Sequence, residues 1–343
     1  MATFENKAAW ITAAQATPLE VGPGPTPNPS EDEVVIKVAY SAVNPVDWKL
    51  QDYSAPHLKY PYIFGTDVAG NVVAVGSGLA SRFTVGQRVI GHCDGLLSGK
   101  PTNNGFQLYS TCKEILVSPI PHSLPLANAA VLPLSISTAA SALFLELQAP
   151  LPSLNPKPTG KRILIWGGSS SVGSSAIQLA VAAGLEVVAT ARSVNHSFVR
   201  SLGASHVLDY EDSDVLDKTA GLLKPGDLVV DAISSQDTQA KCAQILAGLG
   251  GGKLPLMMPP EVTMPDNVNA VFVNSLSPGL TAVDIGDAVW RKYIPEALAA
   301  GKYQAKPDPF VITGGLEKVQ DGIDLLRKGV SAKKIVIELS GEQ

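Results

Sequence analysis

Cysteine is scarce in this chain of 343 residues, and the three that occur lie far apart, at Cys93, Cys112 and Cys242. Their spacing provides neither the closely spaced, even-numbered set of a disulfide framework nor a C-x-x-C metal or redox pair. The sequence is therefore expected to fold in a reducing compartment, and a cytoplasmic location is predicted.

Long apolar runs and an excess of positive charge are also lacking. The most apolar run, 177–191, is interrupted by Gly184 and Glu186 and is too short to span a bilayer. The first residues have no basic region followed by an apolar core, so no secretory signal is expected. The formal net charge of −5 argues against nucleic acid or an anionic membrane as the main partner. Length and a 45% hydrophobic composition indicate two globular domains.

The feature that the sequence does contain is a βαβ pattern over 161–191. A strand-like run at 163–166 leads into a Gly/Ser turn at 167–173, a helical pattern at 174–183 and a second strand at 185–191. A helix N-terminus placed in this way binds the pyrophosphate of a dinucleotide through N–H groups and the helix dipole. Ser170 replaces the middle glycine of G-x-G-x-x-G, so an ordinary α/β turn is the alternative. The predicted cofactor-binding residues of the turn are Gly168, Ser169, Ser170, Ser171, Val172 and Gly173.

The end of the second predicted strand indicates which dinucleotide binds. An NAD site has an acidic residue about 20 residues past the turn, whereas here the chain reads Thr190, Ala191, Arg192, Ser193. Arg192 and Ser193 can bind a 2′-phosphate, so these residues predict NADPH; a solvated arginine is the alternative. Thr190 and Tyr210, which follows a third predicted strand, are assigned to the same cofactor.

The remaining pattern predicts a β-rich part followed by a doubly wound parallel sheet. Residues 1–125 are rich in strand signals, and 126–147 is a helical region interrupted at Pro133. Strands and helices then alternate, as in a parallel α/β sheet. Further predicted elements are strands at 34–44, 66–76, 85–93, 228–233, 270–274 and 334–339, and helices at 237–247 and 315–329.

Several of these segments together resemble the medium-chain dehydrogenase/reductase superfamily. They are SAVNPVDWK at 41–49, FGTDVAG at 64–70, VGQRV at 85–89, the Gly/Ser turn and GLEKV at 315–319. Over essentially the whole chain, the sequence is most similar to fungal trans-acting enoyl reductases that serve polyketide synthases. The resemblance implies an α/β protein with a GroES-like β-rich catalytic domain, 1–125 completed by 301–343, and a Rossmann NADP(H)-binding domain, 126–300.

Zinc-dependent members of this superfamily hold the catalytic metal with a cysteine in the first motif and a His-Glu pair in the second. Here these positions are Asn44 and Thr66-Asp67, and three cysteines are too few for a four-cysteine structural zinc lobe. Because zinc needs three or four Cys, His or carboxylate ligands, no metal site is predicted.

The resemblance implies an NADPH-dependent reduction of an activated C=C bond. Hydride reaches the β-carbon, a donor stabilises the enolate oxygen, and a proton reaches the α-carbon. Lys49 is the expected donor or electrostatic group, Tyr53 the expected proton donor, and Thr138 a contact to nicotinamide or substrate. Their alternatives are a surface lysine, a packing tyrosine and a threonine that bonds its own helix. Asn44 and Pro45 are assigned to the cofactor, with Asn44 and Asp47 also expected to order their loop.

Two other functions remain open from the sequence: a quinone or free enone oxidoreductase of the same fold, and a cofactor-binding protein without turnover. The expected substrate is a small-molecule or carrier-bound enoyl chain, with a polyketide synthase as a possible partner. The chain is expected to be a monomer or homodimer. Prolines within 254–274 would cap an edge strand there, which favours the monomer.

Overall fold

The computed structural model describes residues 5–54 and 58–340. They form two compact units, the first from residues up to 134 together with those from 308, and the second from Ser135–Pro307. The sequence placed the two domain borders at 125/126 and 300/301, so each unit border lies several residues further along the chain. At the first border the difference arises because α3, Leu126–Ala129, and the residues up to Leu134 belong to the first unit.

The strands are numbered in chain order. They are β1 Lys7–Ile11, β2 Glu20–Pro23, β3 Glu33–Ala42, β4 Tyr62–Ile63, β5 Asp67–Val75, β6 Arg88–His92, β7 Tyr109–Lys113, β8 Val117–Pro119, β9 Arg162–Trp166, β10 Glu186–Thr190, β11 His206–Leu208, β12 Leu228–Asp231, β13 Gly252–Leu256, β14 Val268–Phe272, β15 Asp308–Ile312 and β16 Lys333–Glu338.

The helices are numbered in the same way. They are α1 Pro45–Tyr53, α2 Gly95–Ser98, α3 Leu126–Ala129, α4 Pro133–Ala140, α5 Ser171–Ala182, α6 His196–Ser201, α7 Val215–Leu222, α8 Gln236–Gly248, α9 Ser277–Leu280, α10 Val283–Gly286, α11 Ile294–Ala299 and α12 Val319–Arg327. Ser141–Glu146 and Asp287–Tyr293 are π-helical, and Pro101–Asn103, Glu114–Leu116, Ser193–Asn195 and Gly315–Lys318 are 3₁₀ turns.

The first unit is built around β3, whose ten residues are mostly buried and apolar. β3 pairs antiparallel with β5 over Val34–Ala42 and, along its other edge, with β16 over Tyr40–Ala42, in the order β15-β16-β3-β5-β6-β8. In this register Ala42 at the end of β3 lies opposite Asp67 and Val336. The pairing therefore brings the start of β5 and the start of β16 to the point where the chain leaves β3.

The chain leaves β3 into helix α1, which the sequence analysis described only as an ordered loop. Pro45 occupies its first position, where the missing N–H is tolerated, and the Asp47 carboxylate accepts a 2.7 Å hydrogen bond from Asn44 N. The loop interpretation was wrong because proline and Asp/Asn are read as turn residues although they also start helices. The expectation that Asp47 orders this segment agrees with the hydrogen bond.

The second unit contains a parallel six-stranded sheet in the order β11-β10-β9-β12-β13-β14. This is the 3-2-1-4-5-6 order of a Rossmann fold, with its switch point between β9 and β12. The predicted helix at 174–183 begins earlier, at Ser171. Pro255 lies in β13, which has a neighbour on each side, and the edge strand at this end of the sheet is β14. The predicted edge-capping role of Pro255 is therefore wrong.

The helical stretch Leu126–Glu146 is long and apolar enough to cross a membrane by length and composition, with a mean hydropathy of 1.5. However, 83% of its apolar window is buried inside the protein, as in a core helix. Pro133 was expected to interrupt this region, and it stands at the first position of α4.

Candidate active site

The Gly/Ser turn between β9 and α5 is held by backbone geometry that its small residues permit. Gly167 has a φ of +84°, and its N–H donates to Thr190 Oγ1 at 3.0 Å. A Cβ on Gly173 would lie 2.2 Å from the Gly167 carbonyl oxygen, so only glycine allows this approach. Ser170 caps α5 by accepting from Gly173 N at 3.0 Å. Ser170, which replaces the middle glycine of the G-x-G-x-x-G pattern, is thus the N-cap of α5.

This turn fits the pyrophosphate of a dinucleotide. Gly173 is buried, whereas Ser169–Val172 are half-buried at the start of a twelve-residue helix. The N–H groups and the positive dipole end of that helix stabilise an anion placed there. The turn also follows β9, which borders the switch point where Rossmann sheets bind their ligands.

Arg192 and Ser193 follow β10 and are exposed, as a 2′-phosphate site requires. The Arg192 guanidinium is paired with Glu211 at 2.9 Å, and Ser193 N donates to the Asp209 carboxylate at 2.7 Å. Tyr210 lies between these two acids in the chain, and its hydroxyl, together with Glu211, raises the pKa of Arg192. The carboxylates of Asp209 and Glu211, which follow β11, therefore lie beside the predicted phosphate-binding residues. The sequence at the end of β10 did not indicate this proximity.

Residues after β12 were missed by the sequence analysis. Ile233 is 45% exposed and lies against the turn, since a Cβ on Gly167 would be 2.4 Å from its Cγ1. Ser234 has a φ of +58° and is held by Asp231, which accepts from its N–H at 2.9 Å. Burial raises the pKa of this Asp231 carboxyl. The available signal was the position of these residues, directly after a buried apolar strand of a parallel sheet.

Thr138 is buried on α4, a helix fixed by side-chain hydrogen bonds. Ser135 Oγ and Ser175 Oγ are 2.9 Å apart, and Trp290 Nε1 donates to Ser137 Oγ at 3.0 Å. The π-helical segment Ser141–Glu146 follows at once, and such segments are frequent near functional sites. Thr138 therefore stands on a rigid support.

In the first unit, Asn44, Pro45, Lys49 and Tyr53 belong to α1 and its cap. Lys49 is half-buried, with its Nζ 5.5 Å from the centroid of the Trp48 ring. Tyr53 is 74% exposed, and its ring centroid is 6.4 Å from that of Trp48. One turn of helix thus separates Lys49 from Tyr53, and both side chains lie beside Trp48.

The Asn44 side chain lies in a buried polar cluster that includes a residue not singled out from the sequence, Lys334 of β16. Lys334 Nζ donates to Asn44 Oδ1 and is 3.1 Å from Asp67 Oδ2. Asn44 Nδ2 donates to Asp67 Oδ2 at 2.8 Å and to Thr66 Oγ1 at 2.9 Å. We call Lys334, Asn44, Thr66 and Asp67 the ammonium cluster. A lysine at the start of a C-terminal strand gives no local signal that it is buried.

Two further ionisable groups lie near this cluster. Burial raises the pKa of Asp47 to about 7, although hydrogen bonds from Asn44 N and Gly65 N favour its charged form. Burial lowers the pKa of His92 to about 4, so this imidazole is neutral at pH 7.

Comparison with known proteins identifies the family. Residues 30–122 match the alcohol dehydrogenase GroES-like domain, and 171–256 match the family described as zinc-binding dehydrogenase. The chain is 66% identical over 340 residues to the trans-enoyl reductase himH of Aspergillus japonicus, covering 99% of each. The chain belongs to the medium-chain dehydrogenase/reductase superfamily. The trans-enoyl reductase tndF of Aspergillus flavipes is 32% identical, over 98% of this chain and 99% of that protein.

The fold of this oxidoreductase also matches solved structures of the superfamily. The crystal structure of CurK enoyl reductase superposes with a TM-score of 0.75 at 22% identity, covering 98% of this chain and 100% of that one. The predicted combination of a GroES-like domain with a Rossmann sheet is confirmed.

The residues at the zinc positions do not fit the metal that the family description names. Asn44 supplies an amide, Thr66 a hydroxyl and Asp67 a carboxylate that is already paired with the Lys334 ammonium. Zinc is bound by three or four thiolate, imidazole or carboxylate ligands. Over residues 5–54 and 58–340, no group of three or more His, Cys, Asp or Glu side chains is placed to hold a metal ion.

Proposed function

We propose that this protein is an NADPH-dependent, zinc-independent enoyl reductase that acts in trans on the acyl chain of a polyketide synthase. The observation that carries the proposal is the 66% identity to a trans-enoyl reductase over 99% of both chains. The Gly/Ser turn, with Ser170 as the N-cap of α5, supports a nicotinamide cofactor. A cytoplasmic location and a carrier-bound substrate are part of the same proposal.

The protein's own residues provide binding, orientation and proton transfer. The α5 N-terminus would hold the pyrophosphate, and the exposed Ile233, which lies against Gly167, would border the cofactor at the sheet's switch point. When bound, NADPH supplies the hydride. Lys49 stabilises the negative charge that develops on the enolate oxygen, because an ammonium donates hydrogen bonds to an oxyanion. Thr138 orients nicotinamide or substrate, and Tyr53 or water delivers the proton to the α-carbon.

Arg192 and Ser193 support NADPH over NADH. The Arg192–Glu211 pair is exposed, so water and salt screen it and it contributes little to stability. A 2′-phosphate carries more charge than a carboxylate and can be bound bidentately, so it displaces Glu211 from the guanidinium.

The test begins with titration of the protein by NADPH and by NADH, with binding followed by nicotinamide fluorescence. Oxidation at 340 nm is then measured with crotonyl thioester on pantetheine, the same thioester on an acyl carrier domain, and a quinone. We expect NADPH to bind at least about tenfold more tightly, and the carrier-bound thioester to give the largest kcat/KM.

Each other outcome selects a different function. Turnover of the quinone without turnover of either thioester would make the protein a quinone oxidoreductase. Tight binding without turnover of any acceptor would make it a cofactor-binding protein. Equal affinity for NADPH and NADH would contradict the role given to Arg192 and Ser193.

A further inference from the structure

The ammonium cluster contains a lysine that is almost completely buried. The Lys334 side chain is 4% exposed and that of its partner Asp67 is fully buried. Asn44 and Thr66 are exposed by no more than 2%. An ammonium removed from water is very costly unless it is paired and hydrogen-bonded, and here a carboxylate and an amide oxygen meet it. This arrangement needs all of its members in place.

Three different segments meet at this ammonium. Asn44 is the cap of α1, Thr66 directly precedes β5, Asp67 begins β5, and Lys334 is the second residue of β16. The second Asp67 oxygen, Oδ1, accepts from Leu134 N at 2.6 Å. A single positive charge therefore ties together segments that are distant in the chain, which is also what a bound metal ion does.

The segments are the same two motifs that hold zinc in the related dehydrogenases, with Asn44 and Thr66-Asp67 at the ligand positions. The side chains of Asn44, Thr66 and Asp67 lie within hydrogen-bond distance of one another. The ligands of a metal ion converge in the same way. A divalent cation could not enter without meeting the fixed ammonium 3.1 Å from the Asp67 carboxylate.

We propose that the Lys334 ammonium takes the place of the catalytic zinc as a built-in cation. It joins the two former metal-binding motifs and fixes the start of α1, so Lys334 is a positioning residue. Its presence excludes zinc from the site.

The test restores the metal ligands with and without the lysine. The variant Asn44→Cys/Thr66→His supplies a thiolate and an imidazole beside Asp67, and adding Lys334→Ala removes the ammonium and makes room. A matched control adds Lys333→Ala instead, which removes an adjacent but 49% exposed lysine side chain. Zinc content after dialysis is measured by mass spectrometry, and cobalt(II) binding by its thiolate charge-transfer absorbance.

We expect about one zinc per chain in the triple variant with Lys334→Ala. The double variant and the Lys333→Ala control should bind zinc at least ~100-fold more weakly, because a fixed like charge lies beside the ion. Equal zinc affinity with and without Lys334 would overturn the proposal. Absence of zinc from the Lys334→Ala triple variant would overturn it as well, since the positions would then not form a metal geometry.

A second measurement tests the proposal if the multiple variants fold poorly. The single variant Lys334→Ala is purified or refolded with n-propylammonium, which replaces the lost end of the side chain, or with n-propanol as the uncharged match. The ammonium should raise Tm or folded yield and n-propanol should not. No difference between the two would show that the charge is not required.

Discussion

Substitutions in the buried ion pair of Lys334 and Asp67 should change the stability of the protein in a characteristic way. Lys334→Met keeps most of the side-chain volume but leaves the Asp67 carboxylate buried with hydrogen-bond donors alone. Asp67→Asn leaves the ammonium unpaired. In the double variant neither charge remains, and the Asn44 amide can turn so that its oxygen accepts from the new amide at position 67. The two single variants measure the free-energy cost of a buried charge without its partner, and the double variant measures the net contribution of the ion pair to stability.

The expected magnitudes follow from burial. Removing one partner of a buried ion pair costs about 3–5 kcal/mol, whereas replacing both is close to neutral. In a unit of this size each kcal/mol shifts Tm by roughly 2–4 °C, so each single variant should lose on the order of 10 °C. The double variant should lose only about 1–2 kcal/mol, which gives a coupling energy of at least about 3 kcal/mol.

The assay is thermal and urea unfolding at pH 7 by circular dichroism, with Lys318→Met as the control. Lys318 is paired with Asp321 at 2.8 Å, and both side chains are about half-exposed, so its loss should change the free energy of unfolding little. Additive losses in the double variant, or a Lys334→Met loss no larger than that of the control, would refute the claim that the charge organises this region.

Four further predictions concern other parts of the chain. Arg192→Ala should weaken NADPH binding by about 10- to 100-fold while changing NADH binding little, whereas Glu211→Gln should strengthen NADPH binding a few-fold. Fluorescence titration measures both affinities. Unchanged or tighter NADPH binding by Arg192→Ala, or weaker NADPH binding by Glu211→Gln, would contradict the 2′-phosphate site. Lys49→Met should lower kcat for the thioester by about 10²-fold with the NADPH Kd unchanged, while the exposed Lys59→Met stays at wild-type rates. Ser170→Ala removes the cap that accepts from Gly173 N, so Tm should fall by an amount equivalent to about 1 kcal/mol. Burial would raise the pKa of Glu33, but bonds from Ser30, Asn103 and Lys100 outweigh it and lower this pKa to about 2. Its stabilisation is therefore complete above pH 4.5 and is lost as pH falls towards 2, so Glu33→Gln should cost about 3 kcal/mol at pH 7 in urea unfolding and almost nothing at pH 2.

Local patterns in the sequence determined the parts of the fold that depend on neighbouring residues. The apolar run of β9, the small residues of the turn and the stop at Gly184 specify a βαβ unit, and the structure contains it with a helix that begins three residues early. The start was misplaced because serine is read as a turn residue, although Ser170 acts as the cap. The superfamily was likewise readable from short motifs, since each preserves a local backbone requirement.

Tertiary structure alone decided which polar groups meet. Glu211 reaches Arg192 because β10 and β11 are parallel neighbours, and Lys334 reaches Asn44 across 290 residues because β16 pairs with β3. Nothing within a few residues of Lys334 distinguishes it from the exposed Lys333 beside it. The sequence indicated that the zinc ligands are missing, whereas strand register placed an ammonium among the residues that replaced them.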